Sequence, residues 1–246
     1  MPRFFVDSAF VPGAVIALPD QVARHVQVLR LQAGDALTLF NGRGGQHAAR
    51  LVEVGRRSAL AEIVAFEPVE VEPPYRITLA QGIAGGDKMD WLVEKAVELG
   101  VSSIAPLITT RGVVRLSAER ASRRQAHWQA LVRAACEQCG RNRIPEIEPA
   151  LELSKWLSAA PAPDEPGALR LMLSPRAQAT FDALPDTAPN AHVTLLIGPE
   201  GGLSPEEEET AIGRGFMPLS LGARVLRTET AGMAMLAALA ARWGGW

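Results

Sequence analysis

The chain has 246 residues, 48% of them hydrophobic, and a formal net charge of −2. That suits one large domain, or a small one plus a medium one, and excludes a disordered chain. The longest apolar run, residues 231–241, falls far short of the ~20 residues a bilayer span needs, so no membrane segment is expected. "MPRFFVDSAF" lacks the apolar stretch of a leader, and two cysteines make no disulfide framework. A reducing, cytoplasmic setting is therefore expected.

From the N-terminus, "RFFVD" reads as a strand. "PDQVARHVQVLRL" places Val22, Val26 and Leu29 at i, i+4 and i+7, a helical stripe. "DALTLF" and "QHAARLVEV" flank "NGRGG", whose Asn41-Gly42 pair predicts a β-hairpin, and "SALAEIVAFE" adds a strand. Residues 1–70 are expected to form a small β-barrel module. "EPVEVEPPY", residues 67–75, holds three prolines and reads as a linker.

Residues 74–246 alternate strand and helix. "RITLAQ" leads to the helix "DKMDWLVEKAVELG", stopped by Gly100. "SIAPLI" precedes a long helix over residues 117–139, and "ALRLML", "HVTLLI" and "MPLSL" read as three further strands. "TETAGMAMLAALAARW" is a helix apolar nearly all round, which predicts burial, and "SAAPAPDEPG" is a surface loop. The alternation predicts an α/β domain with a parallel sheet covered by helices.

The near-neutral total hides an uneven distribution. Residues 76–143 carry 11 basic and 6 acidic side chains, whereas residues 144–246 carry 7 and 13. The basic middle is either a nucleic-acid-facing patch or the solvated face of a helix bearing Arg115, Arg120, Arg123 and Arg124.

Three stretches could carry chemistry. In "IGPEGGLSPEEEE", Ser204, Pro205 and Glu207 form a capping box, and the glutamates that follow suit the positive end of a helix. The preceding "GPEGG" leaves a buried strand at the edge where open α/β sheets bind ligands. It matches neither a Walker loop nor a dinucleotide fingerprint. Glu200 would repel a phosphate but suits a cation, such as the amino group or sulfonium of S-adenosylmethionine. Otherwise the stretch is a tight turn with Glu200 in solvent or capping a neighbour.

In "LSLGARVLRTETAG", Gly222 permits close approach of a ligand to the backbone. Arg224, Arg227 and Glu229 crowd between two apolar elements, so they either pair with one another or serve a site. In "AACEQCGRNRIP", Cys136 and Cys139 share one helix face with no second pair beside them. They read as buried thiols, and no metal is expected. Arg141 and Arg143 close the basic region.

Together "RHVQVLRLQAGD", "KMDWLVEKAVELGV", "EQCGRNRIP", "IGPEGG" and "LGARVLRTETA" resemble, in order and spacing, the ribosomal RNA small subunit methyltransferase E family of the SPOUT superfamily. The resemblance spans nearly the whole chain. It implies an N-terminal PUA-like barrel and a SPOUT domain whose last segment threads a trefoil knot, although chains generally avoid knots. It further implies a homodimer that binds S-adenosylmethionine in the knot and methylates one uridine of 16S rRNA at N3. Gly85 stands where the family has lysine, Gly112 where serine is usual, and Leu203 in place of phenylalanine.

On that resemblance the cofactor would rest on Leu173, on Ile197, Gly198, Pro199, Glu200 and Gly201, and on Leu219, Leu221, Gly222, Arg224 and Leu226. Uridine N3 must lose a proton, and an arginine fork would stabilise the charge spread onto the carbonyl oxygens. Arg227 is the first candidate and Arg141 the second, with Glu229 or water as proton acceptor. RNA contacts are expected at Arg24, Arg30, Lys88, Arg111, Arg115 and Arg143. The alternatives are another SPOUT reaction, on ribose 2′-oxygen or tRNA, and a non-catalytic RNA-binding protein.

Overall fold

The computed structural model describes residues 1–114, 117–159, 167–190 and 192–246. Arg115 and most of the expected loop at residues 158–167 lie outside the described residues. The chain divides into two compact units, residues 1–72 with 136–144, and residues 73–135 with 145–246.

The first unit contains β1 (Arg3–Phe5), β2 (Val15–Ala17), α1 (Asp20–Val28), β3 (Ala36–Phe40), β4 (Gln46–Val54) and β5 (Ala59–Glu67). Its sheet runs β1-β3-β4-β5-β2. The β3–β4 hairpin pairs Leu39 with His47, and Gly42, Gly44 and Gly45 in its turn all have positive φ. Phe4, Leu37, Leu39, Leu51 and Ile63 form the core, which α1 closes with Val22, Ala23 and Val26. Leu29 falls outside the expected stripe: it caps the helix and is 45% exposed.

Residues 136–144 pack with this unit although they follow the linker. Glu137 accepts the Phe5 amide at 2.8 Å, and Asn142 accepts Arg3 at 3.0 Å and donates to the Val69 carbonyl at 2.6 Å. Cys136 is buried, and burial pushes its thiol up to about 12, while Cys139 is only half-buried.

The second unit contains β6 (Ile77–Gly82), α2 (Lys88–Glu98), β7 (Ser103–Ile108) and α3 (Ala118–Cys139), whose last turn lies in the first unit. It continues with β8 (Glu146–Ile147), β9 (Leu151–Glu152), α4 (Leu153–Ala159), β10 (Leu169–Leu173), β11 (Val193–Ile197), α5 (Pro205–Gly213), β12 (Met217–Leu219) and α6 (Thr228–Trp243). The sheet order is β12-β10-β11-β6-β7-β8, with β9 also beside β7, and every pairing is parallel. All six residues of β6 are buried, as a central parallel strand covered on both faces requires.

The capping box at Ser204 forms as expected, with Glu207 closing it. α6 differs from the expectation of all-round burial. It buries Met233, Met235, Leu236 and Leu239 but leaves the small residues Thr230, Ala234 and Ala241 exposed. Ala237 and Ala238, between the last two, are half-buried.

Candidate cofactor site

β12, β10 and β11 lie side by side and parallel, so their carboxyl ends meet at one edge. The loops that leave Leu173, Ile197 and Leu219 enclose a pocket of about 550 Å³, a size typical of small-molecule sites. Leu173, Ile197, Gly198, Pro199, Glu200, Gly201, Leu219, Leu221, Gly222, Arg224 and Leu226 all line it, as does Arg227.

The turn after β11 is shaped by close approaches that only glycine allows. A Cβ on Gly198 would sit 2.8 Å from the Leu203 amide nitrogen, and one on Gly82 would sit 2.6 Å from that of Pro199. Thr228 Oγ1, at the start of α6, donates to the Gly198 carbonyl at 2.6 Å. From the other side, Arg111 Nη1 donates to the Leu203 carbonyl at 3.2 Å. Gly222, in the pocket lining, has φ +105°, a backbone conformation that favours glycine.

Glu200 lines the pocket, but its charge is already answered. Its Oε1 accepts Lys88 Nζ at 2.9 Å and the Gly85 amide at 3.0 Å. Burial alone would push the carboxyl up, yet the Lys88 ammonium and these hydrogen bonds outweigh it and hold it below the usual carboxylate range. Within the chain, the first turn of α2 thus supplies a cation for this acid.

The sequence alone assigns the glutamates of α5 to the capping box and the helix dipole. Glu207 also accepts the Thr110 amide at 2.7 Å, and Glu208 lines the pocket and pairs with Arg176 at 2.8 Å. Thr228 and Gln81, which bonds to it at 2.9 Å, were missed altogether. The available signal was a glutamine at the carboxyl end of the strand "RITLAQ", where open α/β sheets bind ligands.

The RNA methyltransferase domain family matches residues 71–240, and the RNA methyltransferase PUA domain family matches residues 18–64. A relative in Buchnera aphidicola from Schizaphis graminum, named ribosomal RNA small subunit methyltransferase E, is 33% identical over 99% of this chain and 97% of its own length. The chain belongs to the ribosomal RNA small subunit methyltransferase E family.

The Bacillus subtilis member is 27% identical over 97% of this chain and 96% of its own. The solved structure of the Neisseria gonorrhoeae member, bound to S-adenosylmethionine, matches with a TM-score of 0.91 and 38% identity. The match covers 99% of this chain and 98% of that one. A putative methyltransferase from Legionella pneumophila, also in complex with the cofactor, matches with a TM-score of 0.90 and 39% identity over 97% and 96%. The parallel α/β domain and the N-terminal PUA-like domain are thus those of the methyltransferase E family.

The family member described here separates the candidate catalytic residues. Arg227 and Arg224 are exposed at the pocket and make no ion pair among the described residues. Among the described residues Glu229 does not pair with them; it lies off the pocket lining, half-buried, and its buried Oε2 has no partner there. Arg141 is corrected. Its side chain is 4% exposed and bound to both carboxylate oxygens of Glu72, Nε to Oε1 at 3.0 Å. A guanidinium so held belongs to the interior of the first unit and is not a free fork.

The expected RNA contacts divide likewise. Arg24 and Arg30 are exposed on the first unit, where Arg143 pairs with Glu70 at 3.3 Å. Lys88 and Arg111 also brace the walls of the pocket, Lys88 through Glu200 and Arg111 through the Leu203 carbonyl.

Proposed function

We propose that this chain uses S-adenosylmethionine to methylate one uridine of 16S rRNA at N3. The observation that carries this reading is the pocket at the joined ends of β10, β11 and β12. Its glycine backbone, apolar leucine walls and absence of a phosphate loop suit a nucleoside bearing a charged amino-acid tail. Leu173, Leu219, Leu221 and Leu226 would cover the adenine, and the backbone of Ile197–Gly201 and Gly222 would hold the remainder.

When bound, the cofactor supplies the methyl group of a sulfonium: the new bond forms to N3, the carbon–sulfur bond breaks, and N3 gives up its proton. No metal is needed for an in-line displacement of this kind, provided the attack geometry is held. Arg227, exposed in the pocket lining and without an ion pair among the described residues, donates to the uracil carbonyl oxygens as negative charge develops on them. Its planar fork matches paired acceptors better than an ammonium would. The N3 proton passes to water or to Glu229, whose unpartnered Oε2 would first have to turn outward.

The same reading includes phosphate contacts from Arg24, Arg30, Arg115 and Arg143, a homodimer, the threaded C-terminal segment and a cytoplasmic location. The small side chains exposed along α6, Thr230, Ala234 and Ala241, support the dimer, because they permit close helix packing. The test is incubation of full-length protein with S-adenosylmethionine and either naked 16S rRNA or intact small subunits, followed by mass spectrometry of the nucleosides. A 3-methyluridine product supports the reading; a ribose-methylated product or none refutes it.

A further inference from the structure

Two side chains of β6 are polar, Thr78 and Gln81, and Gln81 is the one at the pocket end of the strand. It is 0% exposed, next to the last residue of a strand buried throughout. Its Nε2 donates to Thr228 Oγ1 at 2.9 Å and to the Gly82 carbonyl at 2.9 Å, and reaches the Gly198 carbonyl at 3.4 Å. Its Oε1 is buried and has no donor among the described residues. A buried acceptor left unmade costs free energy, so stability alone would favour an apolar side chain of similar size here.

The groups that Gln81 touches belong to different walls of the pocket. Gly198 opens the turn after β11 and Thr228 begins α6, and both line the cavity, whereas Gln81 does not. Gly232, one turn further along α6, would place a Cβ 3.0 Å from Ile197 Cδ1. The helix therefore lies close enough to β11 for the Thr228 hydroxyl to reach the Gly198 carbonyl at 2.6 Å. Amide, hydroxyl and carbonyl make one continuous clamp between two loops that are otherwise independent stretches of chain.

We infer that Gln81 is a positioning residue: acting through Thr228 and Gly198, it fixes the two loops to each other so that the cofactor pocket exists before the cofactor arrives. A preformed site spends less of its binding free energy on ordering its own loops. The inference rests on the S-adenosylmethionine reading, and it adds a residue that touches neither cofactor nor RNA.

The test uses the full-length protein and measures unliganded melting temperature, calorimetric affinity for S-adenosylmethionine, and KM and kcat. Gln81→Leu should melt no lower than wild type yet bind the cofactor about tenfold more weakly, with KM for the cofactor raised more than kcat is lowered. Thr228→Val should weaken binding similarly, and Thr228→Ser, which keeps the hydroxyl, should restore it. That second pair decides the matter if Gln81→Leu does not fold. Wild-type affinity in both Gln81→Leu and Thr228→Val overturns the clamp while leaving the cofactor reading intact. A wild-type chain that binds no S-adenosylmethionine overturns both.

Discussion

Lys88 Nζ lies 2.9 Å from Glu200 Oε1, joining the first turn of α2 to the glycine turn after β11. The acid in that turn therefore has a built-in counterion, and the pair is a brace for the pocket wall. Because the folded Glu200 carboxyl is held below its ordinary value, its contribution is present above about pH 4.3 and is lost as pH falls through its lowered pKa. Glu200→Gln should lower stability near pH 7 by less than about 1 kcal/mol, since both partners are partly exposed. Urea midpoints for the two proteins should converge on acidification, and a difference that persists at low pH would exclude the ion pair as its source.

On the proposed reading Arg227, which lines the pocket, meets the developing charge. Arg227→Lys keeps the charge and loses the fork, so single-turnover methylation should slow by about 10–1000-fold. Cofactor affinity and melting temperature should change little, because Arg227 makes no ion pair among the described residues. A normal rate on demonstrably folded protein would remove it from the chemistry.

Gly198 is tighter than Gly201. A Cβ at Gly198 would meet backbone atoms of Gly202 and Leu203 at 2.8–3.0 Å, whereas one at Gly201 would meet Arg111 at 3.1 Å. Gly198→Ala must open the turn, at a cost of about 1–3 kcal/mol, and should weaken the cofactor more than Gly201→Ala. Paired calorimetric titrations would rank the two.

Arg111 braces the Leu203 carbonyl, so its reversal should reach beyond RNA. Arg111→Glu should lower both RNA and cofactor affinity, and Arg24→Glu only RNA affinity. The RNA arm should show a shallower salt dependence in both variants, by about one counterion. Unchanged cofactor affinity in Arg111→Glu would show that the brace is dispensable.

Arg141 should behave as a folding residue. Arg141→Met leaves Glu72 without its buried partner and should cost about 3–5 kcal/mol. Per folded molecule the methylation rate should stay near normal. A rate loss with unchanged denaturant midpoint would return Arg141 to the catalytic candidates.

What the sequence by itself determined were features whose causes are local. Asn41-Gly42 prescribes a hairpin turn, Ser204 with Glu207 a helix start, and the apolar run of "HVTLLI" a covered strand. Motif order then located the pocket loops, since strand ends and glycine turns lie next to each other in the chain. The partners of charged and polar side chains were decided only by the tertiary structure. They meet across long stretches of chain: Lys88 meets Glu200, Arg141 meets Glu72, and Gln81 meets Thr228. The same applies to residues 136–144, which join the first unit because Glu137 and Asn142 find their hydrogen-bonding partners there. A buried charge or amide is stable only where its complement arrives, and that complement is brought by the packing of distant elements rather than by its neighbours in sequence.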